Sequence, residues 1–175
     1  MSPEGNLPSA TLPENLYSGA DKLLWIDLTL SDSTGRAVSR NFYWVPATLT
    51  TFDWGKTSYV TTPAERYEDL TALASLPKAY LNARAFIYDH HSIVVRLTNT
   101  SLTLAFQVHA AIRTHEGAQV APVLWSDNWI EIPPGETRVL TTPVPLHAGL
   151  APLVQLDGWN IAPQSLTPVT AYLYR

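Results

Sequence analysis

Apolar runs in this chain are short and are broken by turn-forming residues about every 8–12 positions, a spacing that points to an all-β protein and leaves almost no room for long helices. Leu24, Ile26, Leu28 and Leu30 alternate with Trp25, Asp27 and Thr29, so one set lies on a buried face and the other opposite it, as in a strand. Asp32-Ser33-Thr34-Gly35 supplies turn chemistry, and alternation resumes at Val38, Arg40, Phe42 and Trp44, which predicts a hairpin. Thr62-Pro63-Ala64-Glu65 has the form of a capping box and predicts a short helix that ends near Ser75, ahead of Pro77. Tyr67, Leu70, Leu73 and Ala74 would share its one face.

Strand patterning then returns. Segments are expected at Tyr80 to Tyr88, Ile93 to Thr98, Leu104 to Ile112, Val120 to Trp125, Trp129 to Ile132, Thr137 to Leu140 and Leu153 to Trp159. Asp89-His90-His91-Ser92 and Pro133-Pro134-Gly135-Glu136 read as turns, and Leu104, Phe106, Val108, Ala110 and Ile112 as one inward set. Strands of this number and spacing have the size of an immunoglobulin-like β-sandwich. The chain therefore divides into residues 1–48, holding a hairpin that cannot stand alone, a linker with the short helix at 49–77, and a sandwich at 78–175.

Hydrophobic residues make up 46% and charged residues 15%, a balance that supports a packed core. With 11 Lys and Arg against 15 Asp and Glu, the formal charge of −4 argues against nucleic acid, whose binding needs clustered cations. No apolar run approaches the ~20 residues that cross a bilayer, and Met1 to Ala10 lacks the pattern of a signal peptide. Without cysteine there is no disulfide, thiolate nucleophile or thiolate zinc site.

Motifs for chemistry are sparse. The glycines form no phosphate-cradling loop. His115-Glu116 begins like a zincin motif, but Gln119 stands where the second His belongs, and the adjacent His90 and His91 have no ligand spacing, so neither cofactor nor metal is expected. His109 falls on the outward set of its strand and reads as solvent-facing. Asp127, Glu131 and Glu136 are the carboxylates a glycosidase would need, but Asp127 suits an Asx turn and the other two suit solvent. The aromatics say more, because indole rings stack on sugars and anchor interfaces. Trp54 in the polar linker and Trp125, Asp127 and Trp129 in Trp125-Ser126-Asp127-Asn128-Trp129 are the candidate carbohydrate or interdomain contacts. The plainer role for Trp125 and Trp159 is to fill the core, with Trp129 at its edge. Asn99-Thr100-Ser101 matches a glycosylation sequon.

Ser39-Arg40-Asn41-Phe42-Tyr43-Trp44, Asp53-Trp54-Gly55-Lys56 and Tyr67-Glu68-Asp69-Leu70-Thr71-Ala72-Leu73 resemble the C-terminal region of family 2 glycoside hydrolases, in the exo-β-glucosaminidase and β-mannosidase branch. Leu97-Thr98-Asn99-Thr100-Ser101, Leu104-Ala105-Phe106, Val123-Leu124-Trp125-Ser126-Asp127-Asn128 and Pro134-Gly135-Glu136-Thr137 follow in the same order as in the last immunoglobulin-like domain of those enzymes. The resemblance implies a parent with a sugar-binding-like domain, immunoglobulin-like domains and a catalytic barrel that carries the catalytic glutamates. This chain lacks that barrel, so no catalytic residue carries over and the chain alone is not expected to be an enzyme. Residues 1–48 would be the last strands of a preceding immunoglobulin-like domain. The implied partners are the barrel and that neighbouring domain, and the implied location of the parent is secreted or periplasmic.

Three functions follow as expectations. The first is a non-catalytic accessory domain that supports the absent barrel. The second is a carbohydrate-binding module that uses exposed Trp residues. The third, a standalone enzyme, needs convergent carboxylates in a concave site. An unpaired hairpin should also fold back on the chain or mediate a dimer.

Overall fold

The computed structural model describes residues 23–46, 48–88, 92–143 and 151–171. The expected turn at Asp89-His90-His91 and the first ten residues lie outside them. The chain forms two compact units, one up to Leu76 and one from Pro77 onward.

In the first unit, β1 (Leu23–Ser31) and β2 (Ala37–Pro46) make the expected antiparallel hairpin, with Trp25 opposite Trp44 and Leu30 opposite Ser39. Asp32 holds the turn by accepting hydrogen bonds from Thr34 N (2.9 Å), Thr34 Oγ1 (2.6 Å) and Arg36 N (3.0 Å). The Thr34 hydroxyl leads the causes that keep the Asp32 carboxyl below its ordinary pKa. Gly35 takes φ +83°, which a residue with a Cβ would resist. One face carries Leu24, Ile26, Leu28 and Leu30, as the alternation predicts. It is not fully covered, since Leu28 is 54% and Leu30 63% exposed.

The expected helix after Thr62 does not form. Ala64–Arg66 is a strand, β4, paired with β3 (Thr51–Phe52), and only a 3₁₀ turn at Thr71–Ser75 follows. Local hydrogen bonds outcompete the capping box. Thr62 Oγ1 meets Thr57 Oγ1 (3.2 Å) instead of capping a helix. Ser58 Oγ accepts from the amides of Val60 (3.3 Å) and Thr61 (3.0 Å), closing a tight turn that brings Pro63 O to Asp53 N (2.9 Å). Asp69 then starts the 3₁₀ turn by accepting from Thr71 N (2.9 Å). Of the expected apolar face only Leu73 is buried, and Tyr67 is exposed.

The second unit is a sandwich of two four-stranded sheets. Its strands are β5 (Leu81–Tyr88), β6 (Ser92–Asn99), β7 (Ala105–Arg113), β8 (Ile130–Ile132), β9 (Thr137–Thr142), β10 (Leu153–Asp157), β11 (Gln164–Leu166) and β12 (Val169–Thr170). One sheet runs β11-β10-β7-β8 and the other β12-β5-β6-β9, with β12 parallel to β5. Ile93, Val95, Leu97 and Leu140 of one sheet and Val108, Ala110, Ile112, Val154 and Leu156 of the other form a single buried cluster. β11 and β12 are too short to have declared themselves by alternation.

Two expectations within the sandwich fail for identifiable reasons. Val120 to Trp125 is not a strand. Its first residue still bonds β7, through Val120 N to Ile112 O (2.9 Å), but by Ser126 the chain bonds β9, with Ser126 N to Thr141 O at 2.7 Å. The segment thus crosses from one sheet to the other and pairs along neither. Pro122, without an N–H, suits a crossing better than a ladder. Leu104 and Phe106 also leave the inward set of β7. A bulge lies between Ala105 and Val108, where Gln107 takes φ 53°, so Ala105 joins the core cluster in their place. Phe106 is buried edge-on against Trp159 at 6.4 Å.

Candidate functional site

The segment from Trp125 to Trp129 is built by side chains that imitate backbone. Ser126 Oγ accepts from Thr141 N (2.9 Å), which ties the segment to β9. Asn128 ties it to β7, as its Nδ2 donates to Ala110 O (2.9 Å) while its Oδ1 accepts from Ala110 N (2.8 Å). The same Oδ1 accepts from Trp129 N (3.1 Å). This two-way amide bond replaces one rung of a ladder and lets the chain turn sharply, with Trp129 at φ 57°. Asp127, expected in an Asx turn, is exposed and accepts from the next amide, Asn128 N, at 2.9 Å.

Anchored this way, the two indoles diverge. Trp125 packs partly buried against the core cluster, as its plainer role required. Trp129 turns outward and lies flat on His109, with centroids 4.2 Å apart and planes at 17°, while remaining 55% exposed. His109 is therefore not simply solvent-facing. Its other neighbour is Asp157, directly opposite on β10, whose Oδ1 lies 3.0 Å from His109 Nδ1. That contact orients the imidazole under the indole. Beside this row the bulged Gln107 donates from Nε2 to Glu131 Oε1 at 3.2 Å. The outer face of β7, β8 and β10 thus presents one indole supported from beneath, with the carboxylates of Asp157 and Glu131 along it.

Sequence reasoning found Trp129 but missed His109, Asp157, Gln107 and Asn128. Strand parity set His109 outward, but it could not supply the cross-strand partner that makes the residue informative. Trp159, assigned to the core, is half exposed. Trp54 lies in the first unit, 72% exposed on a 3₁₀ turn and tilted against Phe52 at 5.6 Å. The three weighed carboxylates have separate surroundings. Asp127 bonds its own loop, Glu131 meets Gln107, and Glu136 pairs with Arg138 at 3.3 Å. His115 and Glu116 sit in an exposed turn closed by Gly117 N to Thr114 O (2.9 Å). Among the described residues, no group of three or more His, Asp or Glu could hold a metal, and no helix is long and apolar enough to cross a membrane.

The family described as the exo-β-D-glucosaminidase Ig-fold domain matches residues 59–161. The exo-β-D-glucosaminidase of Streptomyces avermitilis is 34% identical over 89% of this chain, which corresponds to 18% of that enzyme. That of Amycolatopsis orientalis is 34% identical over 78% of the chain and 14% of the enzyme. The crystal structure of the Amycolatopsis orientalis exo-chitosanase superposes with a TM-score of 0.76 at 32% identity, covering 86% of this chain and 19% of the other. The chain thus spans less than a fifth of the length of these relatives.

Proposed function

Because the chain belongs to the exo-β-D-glucosaminidase Ig-fold domain family, we propose that it serves as a non-catalytic accessory domain of a family 2 glycoside hydrolase. The parent acts on β-linked amino-sugar oligosaccharides or polysaccharides, and the domain supports its catalytic barrel. The observation that carries this reading is the extent of the match: most of this chain aligns, but to less than a fifth of each relative. The expected result is that the purified chain releases no p-nitrophenol from p-nitrophenyl β-D-glucosaminide. A chimera of the Amycolatopsis orientalis enzyme, its own matched segment replaced by the one here, hydrolyses that substrate and outlasts on heating a version with the segment deleted. Hydrolysis by the chain alone, or a deletion as stable as the chimera, would overturn the proposal.

A second reading draws on one feature, the exposed Trp129 ring with Asp157 and Glu131 beside it. An indole face stacks on the apolar face of a pyranose, and carboxylates attract the ammonium of an amino sugar. On this reading the domain holds the polysaccharide itself. Titration with chitosan oligosaccharides then gives a saturable change in Trp fluorescence that Trp129→Ala abolishes. No saturable change at millimolar sugar leaves only the supporting role.

The hairpin supports a neighbouring contact. Leu28 and Leu30 give β1 an apolar face on a two-stranded ribbon, which a preceding immunoglobulin-like domain of the parent would cover. In the isolated chain the same face pairs with a second copy. Sedimentation at tens of micromolar should show a dimer that Leu28→Lys with Leu30→Lys dissociates, and a strictly monomeric chain would rule this surface out.

A further inference from the structure

The opposite face of the sandwich has different chemistry. Arg84 of β5 and Arg96 of β6 are direct cross-strand partners on the outer side, both exposed. Like charges in that position repel and destabilise a sheet. Among the described residues neither guanidinium has a carboxylate or hydrogen-bond partner, although the chain as a whole carries an excess of acidic residues. The pair lies in a groove of about 440 Å³ lined also by Asn82, Thr98, Phe86, Tyr88, Val94 and Val139. Val169 of β12, opposite Phe86, and Val139, opposite Arg96, extend it with exposed apolar surface. Arginine and aromatic residues are enriched and lysine is depleted at protein interfaces, and the lining follows that pattern, with Asn82 and Thr98 as neutral polar groups beside it.

We propose that this groove receives an extended acidic segment of polypeptide, whose carboxylates neutralise Arg84 and Arg96 while its apolar side chains cover Val139 and Val169. Resting on the accessory-domain reading, the segment belongs to the catalytic part of the parent enzyme. Guanidinium groups bind carboxylates through paired hydrogen bonds, and an extended chain presents alternate side chains to one face, which matches two arginines side by side on a sheet. The cationic pair also makes this face a poor host for amino sugars, so it does not duplicate the Trp129 surface.

The test separates the folding of the chain from recognition. The full chain is titrated with acetyl-(Val-Glu)₃-amide, with acetyl-(Val-Gln)₃-amide and with sodium sulfate, and amide resonances of β5, β6 and β9 are followed. The acidic peptide should shift them saturably, and Arg84→Glu should weaken its binding roughly tenfold or more. The same substitution places Glu opposite Arg96 and should raise the melting temperature of the free chain by roughly 2–4 °C. A variant that is more stable yet binds less cannot be explained by misfolding. Absence of peptide-induced shifts, binding unchanged by Arg84→Glu, or equal shifts with the neutral peptide or sulfate would each overturn the proposal. A failed chimera combined with intact peptide binding would reject the accessory-domain reading and leave the groove standing.

Discussion

Asn160→Ala is expected to destabilise the sandwich by about 3–5 kcal/mol, and so to lower its melting temperature by roughly 15–25 °C for a domain of this size. Asn160 is 1% exposed and lies just past β10, where the sequence shows only a polar residue after Trp159. Its Nδ2 donates both hydrogens, to Pro77 O (2.7 Å) and Leu104 O (2.8 Å), and its Oδ1 accepts from Phe106 N (2.9 Å). One side chain thereby joins the entry to the sandwich, the start of β7 and the bulge that sends Gln107 outward. Its own carbonyl takes Ala79 N at 2.9 Å. Truncation to Ala leaves a buried N–H and two carbonyls without that partner, and each such group costs about 1–3 kcal/mol, less where water enters the space. Asn160→Asp should be no milder, because a carboxylate cannot donate to the two carbonyls. Urea denaturation of the two variants gives the comparison. A loss below about 1 kcal/mol for Asn160→Ala would show that the three segments are held by the apolar core and not by this amide.

The bulge at Phe106 and Gln107 explains why the sequence was legible up to a point and no further. Alternation identified the hairpin, β5, β6 and the C-terminal half of β7, because in each the inward set is apolar and local. It failed where a distant polar side chain decides the local path. No pattern within Leu104 to Ile112 reveals that Asn160 will take the Phe106 amide and insert a residue into the strand. The capping box failed for the same kind of reason, since the turn built by Ser58 had already committed Pro63 and Ala64 to a strand pair. The candidate surface was half legible. Trp129 was visible as an aromatic in a turn, whereas the stack on His109 depends on two cross-strand placements, Asn128 on Ala110 and Asp157 opposite His109, which only the fold provides.

Asn99 carries the second large effect and decides the meaning of the sequon. It is fully buried at the end of β6, and its Nδ2 hydrogens go to Thr103 O (2.8 Å) and Ile132 O (2.7 Å). Its Oδ1 accepts from Ser101 N (3.0 Å) and Ser101 Oγ (2.5 Å). The main chain adds Asn99 N to Glu136 O and Gly135 N to Asn99 O, so this one residue fastens the turn after β6, the end of β8 and the Pro-Pro-Gly turn before β9. Asn99→Ala should cost about 2–4 kcal/mol, and Ser101→Ala about 1 kcal/mol because it removes only the hydroxyl's share. A glycan would need one of the two hydrogens now donated to main-chain carbonyls, together with space that a fully buried amide does not have. Produced through the secretory route of a glycosylating host, the soluble folded chain should therefore have the intact mass of an unmodified Asn99, with any glycosylated molecules confined to the misfolded fraction. A glycan at Asn99 in folded, soluble protein would contradict this account of the turn. The Asn-x-Ser pattern here is kept by hydrogen-bond geometry: Ser101 fills the third place of the sequon because its amide and hydroxyl both donate to the side-chain Oδ1 of Asn99.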